Sequence, residues 1–165
     1  MAEAYFFLGD SFVKRLYRDK KAQGTPFLVG RKVVKMWGWS GADVSTVQQR
    51  SVDTIRRWAR AVVVIQLGSN DLCDSARSPE HVVEDLLDYA SFLVERRGVN
   101  RVVVCQILRR NSAVHLRSQT HQPEHYTLFQ RLRATTAHPT CRLGYLISWL
   151  PAMENKDYYQ SADDR

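Results

Sequence analysis

Residues 61–71 read Ala-Val-Val-Val-Ile-Gln-Leu-Gly-Ser-Asn-Asp. Val62 to Ile65 are consecutive β-branched residues with no polar alternation, which suits a strand buried on both faces, as in a parallel sheet. The run from Arg60 to Leu67 is the clearest central strand in the chain. It stops at Gly68-Ser69-Asn70-Asp71, all ordinary turn residues. Toward the N-terminus the same arrangement recurs twice. Ala4-Tyr-Phe-Phe-Leu8 runs into Gly9-Asp10-Ser11, and Lys32 to Trp37 runs into Gly38-Trp39-Ser40-Gly41. Toward the C-terminus, Arg101 to Leu108 and Arg142 to Trp149 read as further strands.

Helical patterns fill the intervals. Phe12, Val13, Leu16 and Tyr17 share one face of the first, after which Gly24, Pro26 and Gly30 mark a loop. Val44, Val47, Val52, Ile55 and Trp58 recur roughly at helical spacing. Ser78-Pro79-Glu80 opens the third helix with a good cap, a first-turn proline and an acid at the positive end of the dipole. Val83, Leu86, Leu87, Ala90, Leu93 and Val94 form its apolar face, and Gly98 suits its end. Arg109 to Pro123 is a polar loop, Glu124 to Ala134 a helix candidate, and Pro151 to Arg165 a tail without pattern. Strands alternating with helices imply an α/β domain, residues 1–165, whose parallel sheet is covered on both faces. Ligands in such sheets lie beyond the carboxyl ends of the strands. The three polar turns all fall on that edge.

The chain carries a net charge of +7, with basic clusters at Lys14-Arg15, Arg18 with Lys20-Lys21, Arg56-Arg57 with Arg60, Arg96-Arg97 and Arg109-Arg110. Without a recognisable nucleic-acid module, these read as solvated helix faces and ends rather than as a polyanion site. Cys73, Cys105 and Cys141 have no zinc-ligand spacing and are expected to be free thiols. Glu3 interrupts the N-terminus and no apolar run approaches the ~20 residues of a membrane span, so a soluble, cytoplasmic protein is expected.

Acyl-transfer chemistry fits the three turns. A nucleophilic hydroxyl at the start of a helix lies near backbone N–H groups that can face developing negative charge, and Ser11 follows a strand and opens a helical pattern. The N–H groups of Ser11 and Gly41 and the Asn70 amide are the candidate oxyanion donors. On the bland reading Ser11 is a helix cap, Gly41 a tight turn and Asn70 a turn side chain. His81 reads as a surface residue. His115, His121 and His125 read as solvated loop residues, with a substitute base as the other option. His121 and His125 lack a third ligand, so no metal site is expected. Trp37, Trp58 and Trp149 read as core, whereas Trp39 sits where it could line an acyl or sugar pocket.

Three segments carry a family resemblance. YFFLGDSFVKRL (5–16), GWSGADV (38–44) and VVVIQLGSNDL (62–72) resemble, in order, the first three conserved blocks of the SGNH (GDSL-type) hydrolases. The resemblance implies a three-layer α/β/α, flavodoxin-like sandwich with a five-stranded parallel sheet. It implies Ser11 as nucleophile, with Gly41 and Asn70 completing the oxyanion hole, on a small-molecule acyl or acetyl ester. Asp10 and Asp71 become supporting residues at the substrate rim, beside Trp39. No metal or organic cofactor is implied. The family's last block, Asp-x-x-His, does not occur in this sequence. Asp164, or failing that Asp163, stands about where its aspartate belongs. That suggests a fragment, a product of exon truncation or a protein without the block, with weak or no turnover. The alternative is a non-catalytic binding module for nucleic acid or another anionic partner.

Overall fold

The computed structural model describes residues 4–55, 58–74, 76–105 and 107. In chain order these form β1 (Tyr5–Gly9), α1 (Ser11–Ala22), β2 (Leu28–Val29), β3 (Lys32–Gly38), α2 (Val44–Thr54), β4 (Val62–Gln66), a 3-10 turn (Asp71–Cys73), α3 (Pro79–Arg97) and β5 (Arg101–Val104). The sheet order is β2-β3-β1-β4-β5. β1 lies parallel to β3 and β4, and β4 parallel to β5. β2 runs antiparallel to β3, with Val29 opposite Lys32. The expected all-parallel sheet is therefore mixed. The segment read as a loop between Pro26 and Gly30 folds into a short edge strand, too brief to show any period in the sequence. The expected fifth parallel strand at Arg142–Trp149 lies outside the described residues, as do the loop from Arg109, the helix from Glu124 and the tail.

Three layers follow from the pleat of the strands. Successive side chains of β1 point to opposite faces. Phe6 and Leu8 join Val63, Ile65, Val102 and Val104 in a core closed by α2 and α3. Tyr5 and Phe7 face the other way, onto a smaller core built around Val13 of α1 with Val34 and Met36 of β3. Phe12 and Leu16 pack beside it as expected, but Tyr17 stays 45% exposed. The predicted face of α3 is rotated slightly, so that Val82 and Tyr89 are fully buried while Leu87 and Val94 are half-buried. The Tyr89 hydroxyl is matched by Ser51 Oγ at 2.8 Å, which explains why a serine rather than Val52 occupies the buried face of α2. Burial raises the Tyr89 phenol pKa, and that hydrogen bond opposes the rise. α2 ends earlier than its spacing suggests, and Ile55 and Trp58 reach the core from beyond it.

The termini of α3 were readable. Ser78 Oγ accepts from His81 N–H at the start of α3, and Gly98 caps its end. Among the described residues, Cys73 and Cys105 form no disulfide. Among the described residues, no helix is long and apolar enough to cross a membrane.

Candidate functional site

α1 leaves β1 toward one face of the sheet, whereas α2 and α3 leave β3 and β4 toward the other. Connections that part in this way open a crevice at the carboxyl end of β1. Ser11, the first residue of α1, stands at that opening.

The three turns meet there through specific bonds. Trp39 N–H donates to Gly9 O at 3.0 Å, joining the turn after β3 to the end of β1. Lys14 Nζ donates to Ser40 Oγ at 3.1 Å. Ser69 Oγ donates to Asp10 Oδ2 at 2.7 Å, joining the turns after β4 and β1. Asn70 Nδ2 donates to Ala42 O at 2.7 Å, joining the turns after β4 and β3. Gly38 makes the close approach sterically feasible. A Cβ there would lie 2.2 Å from Lys14 N, so α1 could not seat against β3 with any other residue.

Ser11 is not the helix cap. Asp10 takes that role, its Oδ1 accepting from Phe12 N–H at 2.9 Å. The half-buried Ser11 hydroxyl makes no hydrogen bond with another described residue. A serine relieved of capping at a helix N-terminus keeps its oxygen available, near the unsatisfied amides of the first turn. Gly41 is exposed with φ +68, a conformation that disfavours any residue with a Cβ. No atom lies within 4 Å of where its Cβ would be, so the backbone here faces open space. Asn70 is half-buried one residue from Gly41 by way of its bond to Ala42.

Asp10 and Asp71 are only 4% and 1% exposed. Their carboxylates serve the scaffold, so the expectation that they border the substrate narrows to a supporting role. Asp71 accepts from Val44 N–H at 3.3 Å, anchoring the start of α2, and pairs with Arg77 at 2.6 Å. Arg77 also pairs with Asp85. Burial raises the Asp71 pKa, with the Val44 and Arg77 contacts opposing it. Asp43 caps α2 through Thr46 N–H at 2.7 Å. Burial pushes its carboxyl up, but bonds from Thr46 and Ser45 and the nearby Arg77 charge outweigh that and leave it lowered.

Arg77 and Lys14 were not anticipated as site residues. Lys14 carries one faint signal, its place one helical turn after Ser11. Trp39 is half-buried, with one side against the larger core. His81 is exposed at the start of α3, as expected. Asp164, Asp163, His115, His121, His125, His138, Cys141 and Trp149 lie outside the described residues. Among the described residues, no cluster of His, Cys, Asp or Glu is placed to hold a metal ion.

No family model and no curated protein matches the chain by sequence. Solved structures do resemble it. A lipolytic protein of the G-D-S-L family from Veillonella parvula superposes with a TM-score of 0.52 at 14% identity, over 81% of this chain and 73% of that one. The psychrotrophic esterase EstA from Pseudoalteromonas, solved in a form inhibited by monoethylphosphonate, gives 0.58 at 15% identity over 98% and 86%. A putative acylhydrolase from Bacteroides fragilis gives 0.59 at 17% identity over 80% of this chain but only 62% of its own, so the present sequence spans less than two thirds of that protein. These likenesses, together with the β2-β3-β1-β4-β5 sheet and the three joined turns, show that the chain has the fold of the SGNH (GDSL-type) hydrolases.

Proposed function

We propose that the chain is an SGNH-type serine hydrolase domain acting on an acyl or acetyl ester. The observation that carries this reading is the division of labour between neighbours: Asp10 caps α1, and the Ser11 hydroxyl beside it is left uncommitted at the joined turns. Ser11 Oγ attacks the ester carbonyl carbon and gives up its proton to a base. The carbonyl oxygen becomes an oxyanion, received by the N–H groups of Ser11 and Gly41 and the amide of Asn70. Collapse expels the alcohol, which takes up a proton, and leaves an acyl group on Ser11. Water then attacks that acyl group and restores the serine. Asp10 and Asp71 position these groups without touching substrate, and Trp39 borders the acyl side.

The general base is not assigned among the described residues. The test is hydrolysis of a short-chain chromogenic acetyl ester by the wild-type chain and by Ser11→Ala. The EstA neighbour was solved with a phosphonate inhibitor, so a phosphonate ester serves as a second readout. Ser11→Ala is expected to lose both turnover and covalent labelling by the phosphonate. Equal rates in the two proteins, or labelling at a residue other than 11, would remove Ser11 from the chemistry.

A further inference from the structure

We infer that the edge of the molecule formed by the end of α1 with β2 and β3 docks on anionic lipid bilayers. The formal charge is not distributed as the scattered basic clusters suggest. Residues 11–38 hold eight of the chain's 24 lysines and arginines and only one of its 17 acids, Asp19. The rest of the chain balances at sixteen of each, so the whole excess of +7 belongs to this one unit. Among the described residues, no ion pair engages Arg18, Lys20, Lys21, Arg31, Lys32 or Lys35.

Among the described residues, the large exposed hydrophobic side chains lie in the same unit. Val33 is 60% exposed, Tyr17 45%, Leu28 41% and Val29 36%. Tyr17, Phe27 and Val33 line an open groove of about 430 Å³ whose other walls include Lys20, Lys21 and Lys35. Lysine guards sheet edges widely, whereas apolar groups exposed together beside it mark interaction surfaces.

Charge selects the partner class, and the aliphatic groups select within it. A second copy would bring like charge against like, so the face fits an anionic partner. Single-stranded nucleic acid is gripped by stacking on aromatic rings, whereas the side chains protruding here are mostly valine and leucine. Such groups enter the boundary between headgroups and acyl chains, where tyrosine is also at home and lysine stems lie along the apolar surface with their charges among the phosphates. The hairpin turn at Gly30-Arg31 and the last turn of α1 sit at the end of the sheet opposite Ser11. The surface is thus separate from the proposed ester chemistry, and binding does not depend on it.

The experiment is sedimentation of the full chain with vesicles of phosphatidylcholine alone or with about one-third phosphatidylserine. Binding is expected at least about tenfold tighter to the phosphatidylserine vesicles, and to fall steeply with added salt. Reversing Lys20→Glu with Lys21→Glu should weaken it at least about tenfold. Val33→Ser should weaken it about threefold. Arg96→Glu with Arg97→Glu makes the same charge change in the last turn of α3 and should leave it unchanged, while Ser11→Ala should bind like wild type. Equal binding to both vesicle types, no binding, or indifference to the Lys20/Lys21 reversal would overturn the inference. So would tighter binding to a single-stranded RNA oligonucleotide that Val33→Ser does not affect, or a lipid-free dimer that Val33→Ser dissolves.

Discussion

The two ends of the sheet invert the usual rule of polar outside and apolar inside, in opposite senses. At the carboxyl edge, Asp10, Ser69 and Asp71 are buried at 4%, 7% and 1% exposure. At the far edge, Val33, Leu28 and Val29 stand in solvent at 60%, 41% and 36%. Burying a carboxylate is costly unless it is paired and bonded, and exposing contiguous aliphatic surface forgoes hydrophobic stabilisation. A sequence that tolerates both has put rigidity at one end and adhesiveness at the other. Local departures of this kind are expected where function overrides folding. The contrast yields measurements that separate the ends.

The largest effect is expected from the buried end. Asp71→Ala removes the partner of Val44 N–H and one of the two carboxylates around Arg77. Breaking a buried charged pair costs about 3 kcal/mol, which in a chain of this size lowers Tm by roughly 6–12 °C. Asp85, 45% exposed, also pairs with Arg77. Its replacement by alanine should cost no more than about 0.5 kcal/mol, as exposed pairs do. Calorimetry of the two variants checks the asymmetry. Equal losses would mean that the rim is not held by its buried acid.

That asymmetry also marks how far the sequence could be read. The central parallel strands β1 and β4 were legible because each is a nearly unbroken apolar run, and parallel strands put their following turns on one edge. Hence Ser11, Gly41 and Asn70 could be grouped before any coordinates. α3 announced itself through Ser78, Pro79 and Gly98. What escaped notice depends on side-chain direction between elements distant in sequence. Nothing local pairs Arg77 with Asp71, Ser51 with Tyr89, or Lys14 with Ser40. Whether Asp10 or Ser11 caps α1 was equally undecidable, since both residue types cap well. The hairpin strand was hidden by its brevity. The concentration of charge was visible in the sequence all along, but acquired meaning only when the end of α1 and β3 proved to border one groove.

A smaller effect separates the two acids around α2 by their response to pH. The folded-state pKa of Asp43 is lowered, so its contribution to stability is present above the ordinary aspartate pKa and is lost as pH falls through the folded value. Asp71 is raised, so the stabilisation gained by protonating it is present below the ordinary value and is lost as pH rises through the folded one. Urea unfolding from neutral pH down to about pH 3 should therefore show the advantage of wild type over Asp43→Asn shrinking with acid. The same comparison with Asp71→Asn should move in wild type's favour. The Asp43 cap is worth about 1 kcal/mol at neutral pH. Parallel pH profiles for the two variants would show that the acids share one environment, contrary to their burial.

The smallest effect belongs to the exposed end, and its smallness is the point. Val33 and Val34 are neighbours on β3, yet one is 60% exposed and the other 6%. Val34→Ser takes a methyl-bearing side chain out of the α1 core and puts a hydroxyl in its place, for about 2 kcal/mol. Val33→Ser removes surface that already meets water and should shift stability by less than about 0.5 kcal/mol in either direction. A neutral Val33→Ser means that folding does not require valine there, so any loss of vesicle binding in that variant reports on the surface and not on the fold. A loss above about 1 kcal/mol would mean that Val33 is covered in solution, and the exposure that sets this edge apart from the carboxyl-end rim would vanish with it.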